Sequence, residues 1–112
     1  MDRVKAIVKA LDDKKARNID VLDIAELTSL GDYFIICTCG SSTQVHACSD
    51  EVEEKLSEMD VKCKHKEGYS GGTWVLMDYG DIIVHIMQEE TRDFYALEKL
   101  WDDSRRIEVK ID

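Results

Sequence analysis

Hydrophobic and polar positions along this chain change period several times, and the changes outline its elements. Near the N-terminus Val4, Ile7, Val8 and Leu11 recur at i, i+3, i+4 and i+7, with Lys5, Lys9, Asp12 and Asp13 opposite. That spacing predicts an amphipathic helix from Asp2 to about Lys15. Ile19–Ile24 is β-branched and roughly alternating, which predicts a first strand. Ala25–Asp32, with Thr28, Ser29 and Gly31, reads as a connection. Tyr33–Cys39 is apolar almost throughout, as expected of a strand buried on both faces.

Gly40 ends that strand and Ser41 opens a second helix. Ser41 and Gln44 have the spacing of a capping box, in which each side chain satisfies a free amide of the first turn. Val45, Cys48, Val52, Leu56 and Met59 form the expected buried stripe, Glu51, Glu53, Glu54, Lys55 and Glu58 the solvated side, and the helix is expected to end near Met59-Asp60. In Val61–His65 the residues Val61, Cys63 and His65 alternate with Lys62 and Lys64, predicting a short edge strand blunted by lysine. Glu67–Thr73 holds three glycines and reads as a loop. Trp74–Met77 and Ile82–Met87 are apolar runs around a turn at Asp78–Asp81 and predict a β-hairpin.

Its register is ambiguous. A loop of Tyr79-Gly80 places Trp74 opposite His85, and a longer loop with Gly80 in the left-handed region, the preferred reading, places it opposite Val84. In either case Trp74 and Leu76 share one face, and Val75 and Met77 the other. After the hairpin, Thr91 is positioned to cap a helix on which Phe94, Leu97 and Leu100-Trp101 recur at helical spacing. In the remainder Ile107, Val109 and Ile111 alternate with Glu108 and Lys110, which fits a late edge strand as well as a frayed tail. The expected fold class is α/β: a single domain with a mixed β-sheet packed with helices, residues 1–102 forming the domain proper and 103–112 the tail or edge strand.

The chain has 112 residues, 44% of them hydrophobic, which suits one domain that builds a core without metal or disulfide support. No apolar run is long enough to span a bilayer, and the charged N-terminus does not resemble a secretory signal, so a cytoplasmic protein without a membrane partner is expected. The formal net charge of −9 makes nonspecific binding to phosphate backbones unfavourable, so no direct nucleic-acid readout is expected. It suits solubility, and equally attraction to a basic protein. Cys37, Cys39, Cys48 and Cys63 contain no Cys-x-x-Cys pair. Cys37 and Cys39 share a strand face, but the usual zinc spacing is absent, and buried reduced thiols rather than metal ligands are expected.

Two readings of candidate chemistry compete. Gly40-Ser41-Ser42 before a helix N-terminus can hold an anion, as in a nucleotide-binding enzyme. However, no Asp-x-Asp strand pair follows to hold magnesium, and capping alone explains the motif. His46, His65 and His85 have no identifiable catalytic partner, and His85, amid isoleucines and valine, reads as a partly buried histidine bonded to backbone. Trp74 is the candidate for binding another protein, since tryptophan is enriched where binding energy concentrates; on the residues alone, core packing explains it first.

The string from Trp74 to Arg92 and the following Phe94-Tyr95-Ala96-Leu97-Glu98-Lys99-Leu100-Trp101 resemble the C-terminal signature of the ribosomal silencing factor (Iojap-like) family. Asp32-Tyr33-Phe34-Ile35-Ile36-Cys37-Thr38 with Gly40-Ser41-Ser42, and Glu67-Gly68-Tyr69, are similar to its earlier blocks. The resemblance implies a fold similar in outline to nucleotidyltransferases. It also implies no enzymatic turnover and no cofactor, with binding to the L-fourteen protein of the large ribosomal subunit that sterically blocks joining of the small subunit and represses translation. It implies a protein-binding face around the hairpin, with Trp74 as apolar anchor, Tyr69, Asp78, Tyr79 and Asp81 as polar contacts, and a part for His85 in the same region. A nucleotidyltransferase-like nucleotide-binding enzyme, and a homodimer joined through the apolar hairpin face, are the other readings.

Overall fold

Tyr33–Cys39, the most continuously apolar segment, forms the strand on which the sheet is centred. In the computed structural model, which describes residues 2–27, 29, 31–96, 99 and 105–109, this segment is β2, preceded by α1 (Asp2–Asp13) and β1 (Arg17–Asp23). It is followed by α2 (Ser42–Ser57), β3 (His65–Glu67), β4 (Trp74–Asp78), β5 (Ile82–Gln88), α3 (Glu89–Tyr95) and β6 (Arg105–Ile107). The six strands lie in the order β3-β4-β5-β2-β1-β6. β2 and β5 pair in parallel, Tyr33 beside Ile82 through Cys39 beside Gln88, and the other pairings are antiparallel. The expected mixed sheet packed with helices is therefore present. Residues 105–107 of the terminal segment are its edge strand, paired with β1.

Strand alternation divides the apolar residues between two layers. On one side Ile35, Cys37, Cys39, Val75, Met77, Val84 and Ile86 pack with Val4, Ile7, Val8 and Leu11 of α1 and Val45, Cys48, Val52 and Leu56 of α2. On the other, Leu22, Ile24, Phe34, Ile36, Ile83 and Met87 form a second cluster, with Trp74 and Leu76 packed against it. α3 lies against β5 and β2.

Several boundaries differ from those expected. α1 stops at Asp13, and Lys15 turns the chain with φ +68°. β1 begins at Arg17 and carries an irregularity before Asp20, where Asn18 takes φ +51°. Met59 lies beyond the end of α2 and is exposed, so it does not belong to the buried stripe, whereas Ser49 does. The third strand is His65–Glu67 rather than Val61–His65, because pairing with β4 sets its position: Lys64 N–H donates to the Asp78 carbonyl at 2.8 Å, and His65, Lys66 and Glu67 lie opposite Asp78, Met77 and Leu76. Thr91 falls inside α3, which starts after Gln88 without a side-chain cap. Ala96, in the left-handed region with φ 45°, ends that helix. The expected continuation through Leu97, Leu100 and Trp101 lies outside the described residues.

Candidate functional site: the aromatic end of the second sheet face

The hairpin register follows from its turn. Gly80 takes φ +92°, its N–H donates to Asp78 Oδ1 at 2.7 Å, and Tyr79 N–H donates to the Ile82 carbonyl at 2.9 Å. The two central residues are thus Gly80 and Asp81, with glycine where positive φ is needed. Trp74 therefore lies opposite Met87, not Val84 or His85, and Leu76 lies opposite His85. Asp81 holds the turn to the rest of the molecule. Its carbonyl accepts from the N–H groups of Asp32 and Tyr33 at 2.7 and 3.0 Å, and its carboxylate forms a two-pronged ion pair with Arg3 of α1.

Trp74, Leu76 and His85 are neighbours on the second face, as the strand alternation requires. Trp74 Nε1–H donates to His85 Nδ1 at 3.1 Å, so the imidazole partner is an indole and not the backbone group expected. Accepting at Nδ1 leaves the neutral ring's proton on Nε2, which meets no partner among the described residues. The His85 ring also lies 4.9 Å from the Phe34 ring. Burial pulls its pKa down to about 4, since an imidazolium there has lost its water.

The outer edge of Trp74 faces a different environment. Tyr95 of α3 packs on the indole at a centroid distance of 4.9 Å, and Phe94 meets Tyr95 edge-on at 5.0 Å. Phe94 is 79% and Tyr95 52% exposed, high values for large aromatics. Trp74 and Leu76, with Glu67 and Gly68, also line a shallow cleft of about 220 Å³. Neither Phe94 nor Tyr95 was among the sequence candidates. Helical spacing placed Phe94 on a common face with Leu97 and Leu100-Trp101, but in α3 it is Arg92 that is buried and Phe94 that is exposed.

α3 is held there by Arg92. Its guanidinium is buried and donates to the Asn18 carbonyl at 2.5 Å, to Thr38 Oγ1 at 3.0 Å and to Asp20 Oδ2 at 2.6 Å, joining the helix to β1 and β2. Arg106 also reaches Asp20, at 3.3 Å. Nothing in the local pattern around Arg92 distinguishes it from a solvated arginine.

The remaining candidates do not share this surface. Tyr69 lies on the α2 side: its hydroxyl donates to Asp50 at 2.9 Å, its ring stacks on His46 at 4.5 Å, and its carbonyl accepts from His46 Nε2 at 2.6 Å. Lys66 stands over the same ring at 4.9 Å while pairing with Glu53 at 2.5 Å. These contacts fasten the glycine loop to α2. Gly68 at the start of the loop takes φ +82°, and a Cβ on it would fall 2.0 Å from the Trp74 carbonyl oxygen, so the loop touches the backbone of Trp74 directly. Tyr79 is buried in the helical layer, and burial holds its hydroxyl well above the usual tyrosine range. Asp78 and Asp81 serve the hairpin turn. Of the six sequence candidates, then, only Trp74 and His85 are brought into contact; Asp78 shares their face by alternation but lies at the turn end of β4, where its carboxylate accepts from Gly80 N–H.

At the other candidate motif Ser41 Oγ accepts from Gln44 N–H at 3.1 Å, as a capping box requires, while Gln44 Oε1 reaches one residue further back than expected, to Gly40 N–H at 2.7 Å. Among the described residues no group of three or more His, Cys, Asp or Glu is placed to hold a metal ion, and no helix is long and apolar enough to cross a membrane.

Comparison with known proteins gives a consistent set of relatives. The family described as "Ribosomal silencing factor during starvation" matches residues 1–112. A protein of Halalkalibacterium halodurans named ribosomal silencing factor RsfS is 38% identical over 103 residues, spanning 92% of this chain and 88% of its own length. A crystal structure of a Chromobacterium violaceum protein superposes with a TM-score of 0.88 at 37% identity, covering 99% of this chain and 92% of that one. A more distant mouse relative, named mitochondrial assembly of ribosomal large subunit protein 1, is 30% identical over 103 residues, which cover 88% of this chain and 44% of the mouse protein.

Proposed function

Because this chain belongs to the ribosomal silencing factor family, we propose that it docks on the large ribosomal subunit through the aromatic end of its second sheet face. Seated on the basic L-fourteen protein there, it occludes the surface that the small subunit must meet, and translation falls. Occlusion needs binding and no turnover, so the protein acts without catalytic residues. The mouse relative's name places that protein with the large subunit, which favours the same subunit as the partner here.

The observation that carries this reading is the run of aromatic rings from half-buried Trp74 on β4 to exposed Tyr95 and Phe94 at the end of α3. Large aromatics give up little conformational entropy on binding and dominate interface energies, so an aromatic ridge makes an efficient anchor. Glu67 on the neighbouring cleft and exposed Glu90 and Asp93 on α3 add negative charge around it, in keeping with the net charge of −9 and a basic target. In this scheme Trp74 contacts the partner and His85 acts through Trp74 by fixing the indole. Tyr69 shapes the adjoining loop, Asp78 and Asp81 hold the hairpin, and Tyr79 supports it from inside the core.

The direct test mixes purified large and small subunits with a saturating amount of the protein and resolves the products by sedimentation. Free subunits at the expense of coupled ribosomes are expected. Normal coupling under saturation overturns the proposal.

A further inference from the structure

The last turn of β2 toward α2 holds a group of thiols for which docking has no use. Cys37 and Cys39 point from β2 into the helical layer, and Cys48 comes from the second turn of α2 to meet them. All three are buried, and the sulfurs of Cys39 and Cys48 are 3.6 Å apart. We propose that Cys39 and Cys48 form a disulfide under a peroxide-class oxidant, making a modification site that staples the end of β2 to α2 and leaves Cys37 and Cys63 as thiols.

The geometry selects this pair. Cys37 and Cys39 are two residues apart on an extended strand, so their Cβ atoms stand side by side at roughly 6–7 Å, whereas a disulfide needs about 3.5–4.5 Å. Cys63 lies on another segment, where its thiol donates to the His65 carbonyl at 3.2 Å. For Cys39 and Cys48 the gap to close is about 1.5 Å, within the sweep of a side-chain rotation about Cα–Cβ. Gly40, Ser41 and Ser42, immediately after Cys39, are exposed, so a small opening of that turn admits a small oxidant.

The three thiols also divide the reactive roles among themselves. Hydrogen bonding by Cys37, then by Cys48, lowers the pKa of Cys39, and Arg17 adds to the effect. The same bonds to Cys39, together with burial, raise Cys37 and Cys48 and keep them protonated. The thiolate is the nucleophile, and Cys39 directly adjoins the exposed Gly40–Ser42 turn by which the oxidant enters, so Cys39 attacks first. Its sulfur takes one peroxide oxygen, the O–O bond breaks, and hydroxide leaves, giving a sulfenic acid at Cys39. Cys48 sulfur then displaces that hydroxyl, the S–S bond forms, and the oxygen departs as water with the Cys48 proton. Two thiols lose two electrons and the peroxide gains them. The staple lies beneath the glycine loop that borders Trp74, since Ser42 at the start of α2 packs against Gly72 and accepts from Gln88 Nε2 at 3.2 Å.

The test treats the folded, full-length chain with hydrogen peroxide, alkylates the remaining thiols, and reads intact mass and protease fragments. A loss of about 2 Da is expected, with Cys37 and Cys63 alkylated, a fragment pair joining Cys39 to Cys48, and full reversal by dithiothreitol. Cys63→Ser should behave identically. Cys48→Ser should instead gain about 16 Da or multiples of it, since the Cys39 sulfenic acid has lost its resolving thiol. Four alkylated thiols with no mass loss, a bond that includes Cys37 or Cys63, or a 2 Da loss persisting in Cys48→Ser would each overturn the assignment. Mapping the unmodified sequence decides the matter even if a variant folds poorly.

Discussion

Acid should weaken this fold through one imidazole. His85 is buried with a pKa of about 4 against an ordinary 6.5. A folded-state pKa lying below the unfolded one means that the unfolded chain takes up the proton first as pH falls. Stability is therefore full above the unfolded value and is lost progressively as pH drops from about 6.5 through about 4. The whole interval corresponds to about 3 kcal/mol, and roughly 2–3 kcal/mol of it should be gone on passing from about pH 7.5 to about pH 4.5. Protonation also converts Nδ1 from acceptor to donor, so the bond from Trp74 Nε1 breaks in the same step.

Denaturant unfolding at the two pH values, on the natural chain and on His85→Asn, measures the effect. Asparagine keeps an oxygen near the place of Nδ1 to accept from Trp74 but does not titrate in this range. The carboxylates titrate alike in both proteins, so the difference between the two losses isolates His85. The natural chain should lose roughly 2–3 kcal/mol more than the variant. Equal losses would refute the argument, because a buried neutral imidazole cannot then be what acid disrupts.

Trp74→Ala should weaken binding to large subunits by on the order of 2 kcal/mol, roughly thirty-fold, with an unchanged circular dichroism spectrum; unchanged affinity in a folded variant removes Trp74 as anchor. Gly68→Ala forces a Cβ to 2.0 Å from the Trp74 carbonyl oxygen at φ +82°, and should cost roughly 2–3 kcal/mol in denaturant unfolding while shifting the Trp74 indole signal in the NMR spectrum. Arg92→Met removes the buried guanidinium that ties α3 to Asn18, Thr38 and Asp20, and should cost roughly 3 kcal/mol with loss of hydrogen-exchange protection in α3.

The helices and central strands were readable because each is a local pattern. Val4, Ile7, Val8 and Leu11 repeat with the helical period and are all buried, and Tyr33–Cys39 is a strand with the bounds its apolar run implies. The division of Trp74 and Leu76 from Val75 and Met77 needs only the pleat, and it is the division observed. The capping of α2 by Ser41 likewise rests on residues three apart.

What depended on distant partners was not readable. The hairpin turns at Gly80-Asp81, one residue later than the Tyr79-Gly80 loop, so Trp74 meets Met87 instead of His85 or Val84; Asp81 is held there by Arg3 and by the start of β2, neither of which is near it in sequence. His85 found an indole partner diagonally across the hairpin, and Tyr79 went into the core while Phe94 went out to solvent. Sequence by itself determined periodicity, faces and caps, because those follow from steric rules acting over a few residues. Which side chains meet, and hence which aromatics form the exposed ridge and which thiols touch, was decided only when the sheet brought remote segments together, since hydrogen bonds and packing are set by distance in space and not along the chain.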